Sequence, residues 1–169
     1  MKFKKGISLI LFLIGFQTLF GQNGATVAHK ELQSLIGKWE GTITYLDYKS
    51  NKPFVMPAEL KILRLENSDS YIFSHTYPQE PKANENDTIT ISQNRRLINN
   101  ELIKTKKRHF NGSLEIVTEY LATDGNENKP AIIRHTYTIA NKIFISRKDV
   151  QFALEGEWIK RSEYAYEKK

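Results

Sequence analysis

The sequence predicts an all-β protein: an antiparallel up-and-down β-barrel of about eight to ten strands, preceded by a short N-terminal helix. Apolar and polar residues alternate at period two over most of the chain from residue 39 onward, the pattern of half-buried strands. The connections between these runs are short and rich in Asn, Asp and Gly, which makes neighbours pair antiparallel and in sequence order. Strands near ten residues long, joined in this way, hide one face and all their edges best by closing on themselves. A sandwich is the competing architecture.

The elements follow in order. Lys2, Lys4 and Lys5 precede an uncharged stretch, 6–20, rich in Leu, Ile and Phe. A basic start followed by roughly 7–15 apolar residues is the plan of a secretory signal peptide. The stretch is short for a membrane span, which needs about 20 apolar residues. Residues 1–21 are therefore expected to be a signal peptide with Gly21 at the cleavage point, 22–35 a lead-in, and 36–169 the barrel domain. The mature protein would be secreted or periplasmic and not transmembrane. Leu32, Leu35 and Ile36 share one side of a short helix over 28–35. Strands are expected from Trp39 to Tyr45 and over 58–65, 70–77, 87–92, 96–107 (folding at Asn99-Asn100), 114–122, 131–139, 142–150 and 157–166. Asn111-Gly112 predicts a type I′ turn, Asp124-Gly125 opens a loop, Asn141 makes a tight turn, and Glu155-Gly156 precedes the last strand.

Composition narrows the function. The 169 residues include 25 Lys+Arg against 19 Asp+Glu, a formal charge of +6, and no Cys. Three of those 25 bases lie in the leader, so the mature chain carries only +3. The missing Cys excludes disulfide staples, thiolate metal sites and a thiol nucleophile. Arg95, Arg96, Lys104, Lys106, Lys107 and Arg108 cluster in one hairpin, with Glu101 the only acid among them. They read either as a patch for an anionic surface or as a charge-protected edge. No aromatic residues interleave there to support nucleic-acid binding.

Alternation also assigns the interior. Trp39, Ile43 and Tyr45 share a face, as do Tyr71, Phe73, His75 and Tyr77. Leu114, Ile116, Thr118 and Tyr120 line another strand, and Ile133, His135, Tyr137 and Ile139 the next. Ile143, Ile145 and Arg147 follow, then Trp158, Tyr164 and Tyr166. Glu40, Glu115, Glu119, Arg134, Lys148, Arg161 and Glu163 are expected in water. An interior holding several Tyr and two His is either a packed core with paired hydroxyls or a pocket for one small ligand. On the pocket reading Tyr45, Tyr71, Phe73, Tyr120 and Tyr137 form the wall. His75, His135 and Arg147 then supply polar contacts, Arg147 anchoring an acidic head group.

The run Leu35-Ile36-Gly37-Lys38-Trp39-Glu40-Gly41-Thr42-Ile43 resembles the opening of small exported bacterial lipocalin-like proteins, within the calycins. The resemblance covers the layout of the mature chain and, in motif, this segment. It implies a barrel that binds a small apolar or amphipathic molecule without covalent chemistry. It also implies that Gly37 turns the chain under a barrel floor plugged by Trp39. An Arg from the last strand would stack on that Trp, and Arg161 is the candidate.

Catalytic signatures are missing from the sequence: there is no Gly-x-Ser-x-Gly elbow, phosphate loop or dinucleotide fingerprint. His29, His75, His109 and His135 have no local metal spacing, and Asp124-x-Asn126-x-Asn128 lacks the Gly and closing Glu of a calcium loop. No catalytic residue, metal or cofactor is therefore expected. Two other classes stay open: a hydrolase or isomerase using the same lumen, and a filled barrel that binds an envelope surface or protein.

Overall fold

The computed structural model describes residues 24–47, 50, 52–152 and 156–169. The expected signal peptide, with Lys2, Lys4, Lys5 and Gly21, lies outside the described residues, as does Glu155 of the last expected turn.

Period-two patterning becomes one ten-stranded antiparallel sheet. A short helix α1 (His29–Leu32) and a 3-10 turn (Gln33–Leu35) lead into β1 (Gly37–Leu46). Then come β2 (Pro53–Arg64), β3 (Ser70–Thr76), β4 (Glu85–Thr90), β5 (Leu97–Ile98) and β6 (Glu101–Arg108). The last four are β7 (Leu114–Asp124), β8 (Lys129–Ile139), β9 (Ile143–Gln151) and β10 (Ile159–Lys168). The order in the sheet is β4-β3-β2-β1-β10-β9-β8-β7-β6-β5, so the chain runs up and down and its first and last strands pair. The two ends of the sheet meet at the isolated bridge Ile91–Ile98 and at the Asn99 amide, which donates to the Thr90 carbonyl at 2.9 Å. The barrel is nearly closed, and this seam is its weakest ladder.

Local chemistry explains where the elements depart from expectation. β2 begins at Pro53, ahead of the expected 58, and contains Pro57. β3 pairs with β2 only from Glu59 onward, so this proline-bearing half has a ladder on one side alone, where prolines are tolerated. Asn99 and Asn100 both have positive φ, 51° and 65°, and make the tight β5–β6 turn expected of them. The Asn111-Gly112 turn is not type I′: only Gly112 has positive φ (82°), while Phe110 and Asn111 keep ordinary values. The Gly112 amide donates to the His109 carbonyl, and the His109 amide to that of Ser113, a longer loop with the glycine at its end.

One end of the barrel is packed. Trp39 is 1% exposed, its Nε1 donates to the Leu35 carbonyl at 2.8 Å, and its ring meets Phe144 edge-on at 6.1 Å. Gly37 enters β1 with φ +135°, a conformation open to glycine, beneath this plug. A β-carbon at Gly41 would overlap the Ala165 carbonyl oxygen, so β1 and β10 approach closely only because that position is bare. Leu32, Leu35, Tyr71, Ile98, Ile116 and Ile139 fill the space above the floor, leaving about 20 Å³ among them. The N-terminal segment is tied to the seam by the Val27 amide, which donates to the Arg95 carbonyl, and by Lys106, 3.1 Å from Glu31.

Two strands carry their side chains in a different phase from the one expected. β9 pairs Ile139 with Phe144, Tyr137 with Ser146 and His135 with Lys148, so Phe144, Ser146 and Lys148 face inward. Ile143, Ile145 and Arg147 face outward. Ile143-Phe144-Ile145 is apolar on both faces, so the residues alone do not set the phase; the short turn after Ile139 does. In β10 a bulge between Lys160 and Ser162 shifts the phase once more. It turns Trp158 outward, where the Arg134 guanidinium lies 3.7 Å above its ring, and draws Arg161 into the barrel's other rim. Arg161 is thus no part of the floor. Trp39 pairs with Lys168, seven residues farther along β10 and roughly 23 Å away at strand rise. The cation over Trp39 is Lys168, with Nζ 5.1 Å from the ring and donating to the Ser34 carbonyl at 2.7 Å.

Candidate functional site

Above the packed floor the lumen opens into a cavity of about 300 Å³. It abuts the seam: Asp87, Thr88 and Ile89 from β4 face Asn99 and Glu101 across it. Phe73 and His75 of β3, His135 and Tyr137 of β8, Phe144 and Ser146 of β9, and Tyr164 and Tyr166 of β10 complete the wall. Each is brought inward by the period-two alternation of its strand.

Two imidazole–carboxylate pairs face this space. His135 Nδ1 lies 2.9 Å from Glu101 Oε2, and Thr118 Oγ1 donates to the same oxygen at 2.5 Å. Glu101 is buried, and these contacts hold its carboxylate in place. The Nε2 of His135 has no protein partner among the described residues, and no buried side-chain nitrogen or oxygen there is left unsatisfied. That nitrogen is therefore reachable by solvent or ligand from the cavity. His75 Nδ1 lies 3.3 Å from the Tyr166 hydroxyl, and its Nε2 is 3.8 Å from Asp87, whose side chain is 56% exposed at the cavity mouth.

Aromatic faces supply the rest. Tyr164 and Tyr166 stack at 5.7 Å and 12°, and Tyr166 stacks on Phe144 at 6.3 Å and 13°. Tyr164 and Tyr77 share a hydrogen bond of 2.7 Å between their hydroxyls. Burial pushes the phenols of Tyr137, Tyr164 and Tyr166 well above their usual range, so all three stay neutral.

Burial also pushes the His75 imidazole below its ordinary value of 6.5, and the Asp87 charge only partly offsets this. His75 is therefore neutral in the fold at a pH where the unfolded chain begins to take up a proton. Its stabilising contribution is complete above 6.5 and is lost as pH falls through that value toward the folded one. Urea midpoints are expected to fall between pH 7.5 and 5.5 more in the wild type than in His75→Gln. Equal losses in both proteins would show that another group is responsible.

The cavity brings together four of the residues singled out in the sequence: Phe73, His75, His135 and Tyr137. Tyr71 lies deeper, in the packed end, with its hydroxyl 3.3 Å from His29 Nδ1. Tyr120 stands beside His135, ring centroids 5.9 Å apart, and packs toward a second small cluster of Ala131, Ile133 and Val150. Tyr45 is at the rim against Phe54, 5.3 Å away, outside the cavity. Arg147 is outside the barrel altogether: its side chain is 43% exposed and its Nε donates to Asp149 at 2.8 Å. No acid can be anchored in the lumen by Arg147.

Glu101, Asp87 and Ser146 escaped the sequence reading. Glu101 stood among bases in a hairpin, where an acid looks like surface, yet its place two residues before Ile103 in β6 puts it on the inward face. Asp87 hid in a run that reads as polar, and Ser146 followed from the phase of β9. Of the basic cluster, Lys104 meets Glu119 at 3.8 Å, Lys106 meets Glu31, and Arg108 donates to the Gly112 carbonyl at 3.0 Å. Arg95, Arg96 and Lys107 are exposed.

The fold has a solved counterpart. The crystal structure of Rv2717c from M. tuberculosis matches with a TM-score of 0.50 at 13% sequence identity, covering 83% of this chain and 96% of that one. Identity at that level speaks for the barrel alone. No protein-family model matches the chain. No curated protein matches it in sequence.

Proposed function

We propose that the lumen binds a small amphipathic molecule non-covalently, in the manner of lipocalin-like barrels, and that the mature chain does so after export. The observation that supports this is the cavity itself. A barrel packed to about 20 Å³ at one end keeps about 300 Å³ at the other, lined by stacked aromatics and converging polar groups. At roughly 30 Å³ per water-sized group, it has room for about ten non-hydrogen atoms of a ligand. The test compares the wild type with Ser146→Trp, which plugs the cavity from β9. Organic extraction of the purified wild type is expected to release a small molecule detectable by mass spectrometry, and the plugged variant to release none. Equal yields from a correctly folded plugged variant would place the ligand elsewhere and defeat the proposal.

A second reading draws on one observation, the His135–Glu101 pair with Nε2 turned to the cavity. A carboxylate that fixes the tautomer of an imidazole is the arrangement of a general base. Turnover of a bound molecule, lost in His135→Ala while binding persists, would move the function from carrier to enzyme.

A further inference from the structure

Resting on the lumen-binding proposal, we infer the chemical class of the ligand: a small amphipathic cation, an amine or ammonium on an aromatic or aliphatic body. The charges facing the cavity carry this. Among the described residues its wall has two carboxylates, Glu101 and Asp87, and neither Lys nor Arg. His75 is kept neutral by burial. With His135 neutral the wall holds two negative charges, and with His135 protonated it still holds one. The formal charge of this lining is negative in either state.

Cations on neighbouring positions do not reverse this. Lys148 follows Ser146 on the inward face, but its Nζ lies 2.9 Å from Asp124 Oδ1 at the β7–β8 rim. Arg161 Nε lies 2.8 Å from the other oxygen of the same carboxylate. Arg147 is bound to Asp149 outside the barrel. An acidic ligand would therefore enter against Glu101 and Asp87 with no lining Lys or Arg among the described residues to meet it.

The shape of the wall fits a cation as well as its charge does. The rings of Phe144, Tyr166 and Tyr164 stand in a stacked row that lines the same cavity as Glu101. Ring faces attract an ammonium, and the attraction grows where water is excluded. An ammonium has three donors and no acceptor, while a carboxylate accepts at about four lone-pair sites. Glu101 spends some on Thr118 and His135 and keeps capacity toward the lumen. Asp87 at the mouth provides a second negative group on the way in.

The test is calorimetric titration of the folded chain with three probes on one skeleton: 2-phenylethylamine, 2-phenylethanol and 3-phenylpropanoate. Each has about ten non-hydrogen atoms, matching the cavity. The amine is expected to bind about tenfold or more tightly than the alcohol, a difference of about 1.4 kcal/mol, with the carboxylate weakest. Glu101→Gln should bring amine and alcohol to within about threefold of each other, near the scale of a lost charge-assisted bond. Asp87→Asn, at an exposed position, keeps the test informative if Glu101→Gln fails to fold; it should weaken the amine and leave the alcohol unchanged. Alcohol binding as tightly as amine, or the carboxylate binding best, would overturn the cationic class while leaving lumen binding intact. Amine binding undiminished in Ser146→Trp, or no binding of any probe, would overturn both.

Discussion

Trp39→Ala is expected to cost about 3–5 kcal/mol of stability, the range for truncating a large buried aromatic. Three losses combine. The ring is fully buried at the floor, so its removal leaves a cavity that the strands around it cannot collapse into. The Leu35 carbonyl loses the indole donor at 2.8 Å. Lys168 loses the ring face beneath its ammonium. Urea unfolding would show the midpoint falling with the slope little changed. Trp39→Phe separates the parts: it keeps most of the volume and should cost less, including about 1 kcal/mol for the lost hydrogen bond. A drop below about 1 kcal/mol for the alanine variant would show that the floor repacks and that the plug is dispensable.

Asp124→Ala is expected to cost a similar amount, about 3–5 kcal/mol, for a different reason. Its carboxylate is 4% exposed and is shared between Lys148 and Arg161, the latter 11% exposed. Burial alone would raise this carboxyl, but the hydrogen bonds and charges of Lys148 and Arg161 outweigh it and hold the group below its ordinary 3.8. Removing it leaves two partly buried cations facing each other, which costs more than the pair gains over neutral side chains. The sign with pH follows. The stabilisation is present above 3.8 and is lost as pH falls below that value toward the folded one, so the wild type should approach the variant's stability in acid. Stability measured at pH 7 and pH 3 for both proteins checks this; a constant gap would mean that packing, not charge, holds the rim together.

Much of the barrel was legible because alternation is a strong signal where one face is buried. Tyr71, Phe73 and His75 in β3, with Tyr77 just beyond its end, and Leu114, Ile116, Thr118 and Tyr120 in β7, each take the face their spacing predicts. The ten strands and their up-and-down order follow from the same runs and their short turns. Phase was lost at two places where the local pattern carries no phase information. Ile143-Phe144-Ile145 is apolar on both sides, and the extra residue at Arg161 is a bulge that its sequence does not announce. The first slip removed Arg147 from the lumen, and with it the expectation of an acidic ligand. Arg161 is off the floor because it lies seven residues from Lys168, the β10 partner of Trp39. Glu101 was illegible for a further reason. A buried carboxylate is recognisable only by its partners, and Thr118 and His135 come from strands far along the chain.

Binding in the lumen can be read from the side-chain NMR resonances of His75 and His135 during titration with 2-phenylethylamine. Both imidazoles line the cavity from opposite strands of the seam region, β3 and β8. Both should shift together and saturate with one dissociation constant in the wild type, and neither should shift in Ser146→Trp. Resonances that stay fixed in the wild type with 2-phenylethylamine, 2-phenylethanol and 3-phenylpropanoate alike, or that move equally in the plugged variant, would contradict binding in the lumen.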